Sequence, residues 1–380
     1  MLSVLHVCTD FWPSTGGIQS FVRELAGRSR ARGVDAAVLC CNRSKNHRGR
    51  LPDEESIDGI PVMRAAFLDL HFYKPTWLSS ARLRAYDLIH VHGVGAQLDY
   101  LSLLKWRHHR PIVLSTHGAI FHTQTLRWLK QQYFHRFQPL VLARVDLIAA
   151  CSRSDAELFS GFAPRVQLLE NATDVEPLLA LPLSQKRRGR CLYVGRLAAN
   201  KDLETLLRVF ARARAGGLSF ELRIVGKGSS HEVRRLETSA RELGLGEHVH
   251  FVGPVASDEL LAEYGAADVF VSASRYEGFG LSAIEARAAG CRLLLQENAA
   301  FRGLFGSDTG VVLTEYRSIE DAASRLVELL QNEPPADRHG RTAMERFAWS
   351  RKAGEWLDLY QKVVSGATRA PAVDDAHRAA

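Results

Sequence analysis

Two cations and two carboxylates in the second half of the chain have the types and spacing to handle a sugar diphosphate. Arg196 and Lys201 lie five positions apart in the run Gly195-Arg196-Leu197-Ala198-Ala199-Asn200-Lys201. Arginine offers a planar fork that grips two phosphate oxygens at once, and lysine adds a point charge, so the pair suits a diphosphate. Glu277 and Glu285 are separated by Gly278-Phe279-Gly280-Leu281-Ser282-Ala283-Ile284. A carboxylate facing a phosphate would be repelled by it, so these two are suited to accept hydrogen bonds from hydroxyls, as on a sugar or a ribose. Gly278 and Gly280 permit backbone shapes that a side chain would block, and the amides of Gly280, Leu281 and Ser282 open a helix whose N-terminus favours an anion. A further candidate is His117, where an apolar run ends before Gly118 and a ring can reach a cleft.

The surrounding residues define what must position these groups. Residues 191–194 read as a strand, 195–201 as a loop and 202–215 as a helix; 267–271 read as a second strand and 281–289 as a helix. Both candidate pairs therefore lie at turns that lead from a strand into a helix. Two more strands, 220–225 and 249–253, end at Gly226-Lys227-Gly228 and at Val252-Gly253. In the first half, strands are expected at 4–7, 37–39, 62–65, 88–91, 112–115, 147–149 and 166–169, with a helix at 18–30 behind Gly16-Gly17. That glycine pair lets backbone approach a ligand closely, although a plain turn explains it equally well. Strands alternating with helices predict an α/β chain of doubly wound parallel sheets, with ligands beyond the carboxyl ends of the strands.

A length of 380 residues predicts two domains. We expect a first domain over 1–175, a polar, basic linker over 176–190 and a second domain over 191–345. A helix over 346–367 is expected to cross back to the first domain, followed by a disordered tail over 368–380. The chain is 46% hydrophobic and 24% charged, the balance of a soluble globular protein. No apolar run is long enough to span a bilayer, and the first residues read as a strand rather than a signal peptide. The six cysteines are scattered without a C-x-x-C spacing, so neither a disulfide framework nor a zinc site is indicated and a cytoplasmic location is expected.

The net charge of +7 favours anionic partners: nucleotide sugars, lipid diphosphates or an anionic membrane face. Nucleic acid is not expected, because no nucleic-acid module is recognisable. His90 and His92 share one face of a strand, but a metal would need a third ligand that the pattern does not reveal. No Asp-x-Asp metal clasp is present either, so neither a metal nor another cofactor is expected. Residues 124–139 form a basic, aromatic helix containing Arg127, Trp128, Lys130 and Arg136, and 105–110 add a second basic patch. Such a helix can lie in a lipid interface beside a lipid-borne acceptor, or it can pack its aromatic rings on the sheet.

The stretch from Glu277 to Glu285, with Gly-Phe-Gly-Leu-Ser between, resembles the E-x7-E signature of the retaining glycosyltransferases of family four. The resemblance extends over about residues 3–365 and implies the GT-B fold, two Rossmann-like domains with a cleft between them. It implies that Glu277 contacts the donor sugar, that Glu285 contacts the ribose, and that Gly195-Arg196 with Lys201 clamp the diphosphate. It further implies that Gly226 and Val252 line the nucleotide pocket, with the backbone of 278–281 on the phosphates. Gly16 and Gly17 would reach the diphosphate, and His117 would lie near the donor sugar. Residues 170–174 occupy the place of an Asn-Gly-Val-Asp segment, but here read Glu170-Asn171-Ala172-Thr173-Asp174.

The run His90-Val91-His92-Gly93, Leu98-Asp99-Tyr100-Leu101, Ser115-Thr116-His117-Gly118 and Phe121-His122-Thr123 is similar to family members of xanthan- and acetan-type exopolysaccharide assembly. That similarity implies GDP-mannose as donor, a polyprenyl-diphosphate-linked oligosaccharide as acceptor, and a peripheral place on the cytoplasmic face of the inner membrane. The expected reaction is retaining hexosyl transfer, with Glu277, His117, Arg196 and Lys201 at its centre. A UDP-hexose donor, a GT-B-fold epimerase and a non-catalytic nucleotide-sugar sensor stay open as alternatives. A nicotinamide dehydrogenase would want G-x-G-x-x-G after the first strand, which is absent.

Overall fold

The computed structural model describes residues 1–14, 16–43, 49–70, 73–117, 127–162, 165–332 and 338–366. The chain divides into two compact units, Met1–Glu170 with Lys352–Ala380, and Asn171–Arg351.

The first unit is built on β1 (Ser3–Val7), β2 (Asp35–Cys41), β3 (Glu54–Ile57), β4 (Ile60–Ala65), β5 (Leu88–His92), β6 (Ile112–Ser115), β7 (Leu147–Ala150) and β8 (Val166–Leu168). They form one sheet in the order β3-β4-β2-β1-β5-β6-β7-β8. Every pairing is parallel except that of β3, an antiparallel edge on β4. The central strands are buried along nearly their whole length because helices cover both faces of such a sheet, and β1 and β5 carry buried histidines among their apolar residues. The strand order reverses between β1 and β5, and ligands of open α/β sheets bind at such a switch point.

The second unit repeats the plan with β9 (Arg190–Val194), β10 (Glu221–Val225), β11 (Val249–Gly253), β12 (Val269–Ser272), β13 (Arg292–Gln296) and β14 (Val311–Thr314), all parallel, in the order β11-β10-β9-β12-β13-β14. Its switch point lies between β9 and β12. The turn after β9 carries Arg196 and Lys201, and the turn after β12 carries Glu277, so topology singles out the same two loops as the residue types did.

The expected linker is part of the second unit instead. Residues Glu176–Leu179 form a short helix and Leu183–Gln185 a 3-10 turn. Val175 and Leu178 are buried with Tyr264 and Phe270. The Arg341 guanidinium donates to the carbonyls of Leu178, Leu179 and Leu181 at 3.0, 2.7 and 2.7 Å, pinning the carbonyl end of that helix. The boundary therefore falls at Glu170. Polar letters suggested a linker, but the leucines between them pack. The C-terminal helix, Trp349–Val364, belongs to the first unit from Lys352 onward, where Trp356 and Tyr360 are buried. The expected tail, 368–380, lies outside the described residues. Among the described residues no helix is long and apolar enough to cross a membrane.

Candidate active site

Three glycines meet at the ends of β9, β10 and β11. The Gly195 amide donates to the Val225 carbonyl at 3.0 Å, and the Gly226 amide to the Gly253 carbonyl at 2.9 Å. A Cβ on Gly226 would lie 1.9 Å from the Gly195 carbonyl oxygen, and its φ of +141° belongs to a region side chains avoid. Backbone alone fits there. Gly226→Ala is expected to destabilise the second unit by about 2–5 kcal/mol, the combined scale of overpacking and backbone strain. The midpoint of urea unfolding measures this, and an unmoved midpoint would mean the two turns can separate freely.

The turn after β9 is held from several sides. The Tyr193 hydroxyl donates to the Arg196 carbonyl at 3.0 Å, while the Arg196 side chain is exposed and has no partner among the described residues. Residues Ala199–Lys201 make a 3-10 turn, and Asp202, at φ +49°, starts the helix Leu203–Ala215. Arg275 ties this turn to the loop after β12: its amide donates to the Asn200 carbonyl at 3.1 Å and its guanidinium meets Asp202 at 3.2 Å.

Lys201 and Glu277 come together as an ion pair, Nζ to Oε1 at 2.5 Å, with side chains only 15% and 16% exposed. The sequence assigned them to different parts of a ligand, and the structure joins them across 76 residues. The two assignments remain compatible, since an ammonium has three donors and a carboxylate several acceptor positions. The pair also fixes the Lys201 stem in place.

Gly280 caps the helix Leu281–Ala288 at φ +95°, and a Cβ there would meet the Phe301 ring at 2.7 Å. No side chain caps this helix end. Phe279 is buried with its ring against Phe347 at 5.6 Å, so it can offer a ligand only its backbone. Glu285 is held by two hydroxyls. Its Oε1 accepts from the Thr173 hydroxyl at 2.5 Å and its Oε2 from the Tyr264 hydroxyl at 2.8 Å. Burial raises its carboxyl above the ordinary range, and the two hydroxyl bonds oppose that shift.

In the first unit, register places His6 beside His90, and His92 follows on the same face. His90 is locked by the Tyr360 hydroxyl at 2.7 Å and by Ser115 Oγ at 2.8 Å. His6 Nδ1 lies 3.0 Å from His92 Nε2, and His92 Nδ1 lies 3.1 Å from His117 Nε2. His117 has φ +48°, and its ring meets Phe21 edge-on at 5.1 Å. Burial pushes His6 down to about 3 and His117 to about 4, with His90 and His92 well below the usual value. Nitrogens of His6, His90 and His92 lie within 4.8 Å of one another, so His6 is the third histidine the strand pattern did not reveal. All of their ring nitrogens except His6 Nε2 have a hydrogen-bond partner within the cluster or from Ser115, Tyr360 and His117.

The basic, aromatic stretch is divided between surface and core. It runs as helix Arg127–Gln132, a π-helical turn Tyr133–Phe137 and helix Gln138–Leu142, the wide turn lying just ahead of Pro139, which cannot donate to the turn before it. Trp128 is 71% exposed and Arg136 is exposed. Phe134 is buried against Phe159 and Phe162. The Tyr133 hydroxyl donates to Asp99 at 2.6 Å, where Tyr73 and Gln138 also donate. The side chains of Arg127 and Lys130 lie outside what is described, as do residues 118–126.

Residues 15–177 match the family described as Glycosyltransferase Family 4, and residues 182–346 match Glycosyl transferases group 1. The GDP-mannose:cellobiosyl-diphosphopolyprenol alpha-mannosyltransferase of Komagataeibacter xylinus is 31% identical, over 96% of this chain and 94% of the relative. The chain belongs to glycosyltransferase family four. A protein of the same description from Xanthomonas oryzae pv. oryzae is also 31% identical, over 94% of this chain and 96% of its own. Sucrose-phosphate synthase from Thermosynechococcus elongatus superposes with a TM-score of 0.75 at 20% identity, over 96% of this chain and all of that one, which shows the fold.

This glycosyltransferase thus has the two Rossmann-like α/β units of the GT-B fold. The structure brings together Gly195, Lys201, Gly226 and Glu277, with Gly278, Gly280 and Leu281 on the same loop and helix start and Val252 in the strand beside Gly226. Gly16 and Gly17 stand at the start of the helix Gly17–Arg30 in the first unit, with nothing within 4 Å of a Cβ placed on Gly17. Sequence reasoning missed Thr173 and Tyr264 as partners of Glu285, and His6, Ser115 and Tyr360 around the histidines. Thr173 and Ser115 sit in segments that the family resemblance marked, so those segments were the available signal for them. Nothing local marked the others.

Proposed function

We propose that this glycosyltransferase moves a mannosyl group from GDP-mannose to a polyprenyl-diphosphate-linked oligosaccharide of bacterial exopolysaccharide assembly, with retention at the anomeric carbon. The observation that carries the reading is the end-to-end similarity, at 31% identity, to relatives described as GDP-mannose:cellobiosyl-diphosphopolyprenol alpha-mannosyltransferases. The chemistry is departure of a nucleoside diphosphate from the anomeric carbon through an oxocarbenium-like state. Negative charge then grows on the leaving diphosphate, where fixed cations and a helix N-terminus act most strongly. Arg196, Lys201 and the helix start at Leu281 take that role, without a divalent ion. Glu277, held by Lys201, accepts a hydrogen bond from a hydroxyl of the transferred sugar, and Glu285 with its two hydroxyl partners meets the ribose. His117 of the first unit takes part in transfer.

A lipid-borne acceptor calls for a membrane-facing surface, and one patch of the first unit has chemistry that would suit that role. Trp106 is 68% exposed, with Leu103 and Leu140 also exposed, and Arg107 lies over the Trp106 ring at 5.5 Å. Leu103, Lys105, Trp106, His109 and Arg144 line a shared groove. Exposed tryptophan among cations suits the headgroup depth of an anionic leaflet, here the cytoplasmic face of the inner membrane.

The test is to offer GDP-mannose and UDP-glucose separately with a polyprenyl-diphosphate-linked disaccharide and to follow nucleoside diphosphate release. Transfer from GDP-mannose is expected. Transfer from UDP-glucose alone would overturn the donor assignment and leave the fold and clamp intact. Equal activity on a soluble acceptor without lipid would count against the membrane surface.

A further inference from the structure

His6, His92 and His117 form a line of rings joined by two nitrogen-to-nitrogen contacts, at 3.0 and 3.1 Å. Burial keeps all three neutral at neutral pH. A neutral imidazole carries one N–H and one lone pair, so each contact holds a single proton and all three rings must point their protons the same way. Two orders satisfy this. In the first, His6 Nδ1–H donates to His92 Nε2, His92 Nδ1–H donates to His117 Nε2, and His117 carries its proton on Nδ1. In the second, every proton sits on Nε2, and the remaining nitrogen of His117 is a lone pair.

The inner end of the line decides between them. His6 Nε2 is buried and has no hydrogen-bond partner. The second order would strand an N–H there, whereas the first leaves only a lone pair. Orphaned buried N–H donors are rarer in folded proteins than under-satisfied acceptors. His90 takes no part in the line, because Tyr360 and Ser115 occupy both of its nitrogens.

We propose that His6 and His92 are positioning residues that fix His117 in its Nδ1–H tautomer, so that this nitrogen, which has no hydrogen-bond partner among the described residues, meets the substrate as a hydrogen-bond donor. The inference rests on the reading of His117 as a participant in transfer. A fixed donor suits an oxygen that can accept, such as a sugar hydroxyl or a phosphate oxygen. It would repel any group that itself can only donate.

Nitrogen-15 NMR of histidine-labelled full-length protein reads the tautomer directly, and the expected result is His117 protonated at Nδ1. His92→Phe keeps a ring but removes the link, while His92→Asn returns an amide near the position of Nδ1. The Phe variant is expected to show mixed tautomers at His117 and a kcat lowered about tenfold, the weight of one hydrogen bond, with KM for the nucleotide sugar unchanged. The Asn variant is expected to restore both. A wild-type His117 protonated at Nε2 would overturn the proposal, even if the variants fail to fold. So would a His92→Phe protein with the wild-type tautomer and kcat. If His117→Ala transferred normally, the reading of His117 would fall, and the ring spectra would still decide the line of protons.

Discussion

Lys201→Ala is expected to slow transfer by about a hundredfold or more, the usual scale for removing one group that meets charge as it develops. Lys201 stands at the end of the turn after β9, held by Glu277 at 2.5 Å, and is only 15% exposed. Its charge is therefore already desolvated and aimed, which is the condition under which a cation stabilises a leaving diphosphate most. Arg196→Ala is expected to act in the same direction, from a more exposed and unpaired position. Glu277→Gln separates the two roles within the pair. It should damage transfer while leaving affinity for free nucleoside diphosphate largely intact, because its partner lysine keeps its charge. Calorimetry with the nucleotide alone reads the second quantity, and thermal unfolding distinguishes lost chemistry from lost fold. Normal turnover in both Lys201→Ala and Arg196→Ala would remove the clamp.

That pair also shows what could be read from the sequence and what could not. The strands around the switch point were legible because buried parallel strands are written as short, largely apolar runs that end ahead of a glycine-bearing turn, as at residues 191–194 and 267–271. The strand β13 was not, since Arg292 and Gln296 bracket it; the buried Arg292 guanidinium is matched by Asp268 at 2.7 Å. The loops that carry Lys201 and Glu277 were legible because glycine, cation and carboxylate types announce a strand-to-helix turn. Their partners were not, because hydrogen bonds between Thr173 and Glu285 or between Tyr360 and His90 join residues 112 and 270 positions apart. Local spacing carries no trace of such pairs. The basic, aromatic helix was ambiguous for a related reason. Its composition suits both an interface and a core, and only the packing of Phe134 and the bond from Tyr133 to Asp99 divide its two faces.

Lowering the pH from about 7.5 to about 5.5 is expected to destabilise the first unit far more than the second. An unfolded chain protonates its histidines near pH 6.5. In the fold, His6, His90 and His92 are held well below that by burial, His6 at about 3. On acidification the unfolded state thus binds protons that the folded state refuses, and stability falls as pH falls. Each ring contributes about 1.4 kcal/mol per pH unit below 6.5, or roughly 5.5 kcal/mol per unit for these three together with His117, until the folded values are reached. What faces these rings offers no compensating charge: Ser115 and Tyr360 are neutral, and His117 is itself pushed down to about 4. Asp99 in the same unit works in the opposite sense, since burial raises its carboxyl and so adds stability as pH falls, but it is one group against four lowered histidines. Every buried histidine among the described residues, His108 included, lies in the first unit. That unit also holds Trp12, Trp77, Trp106, Trp128 and Trp356 of the six tryptophans, so fluorescence reports its unfolding. The midpoint of urea unfolding by fluorescence should fall steeply over this range, and His6→Leu should remove no more than about a quarter of the slope. A midpoint that stays level would mean the rings take up protons inside the fold, contradicting their neutral, hydrogen-bonded arrangement.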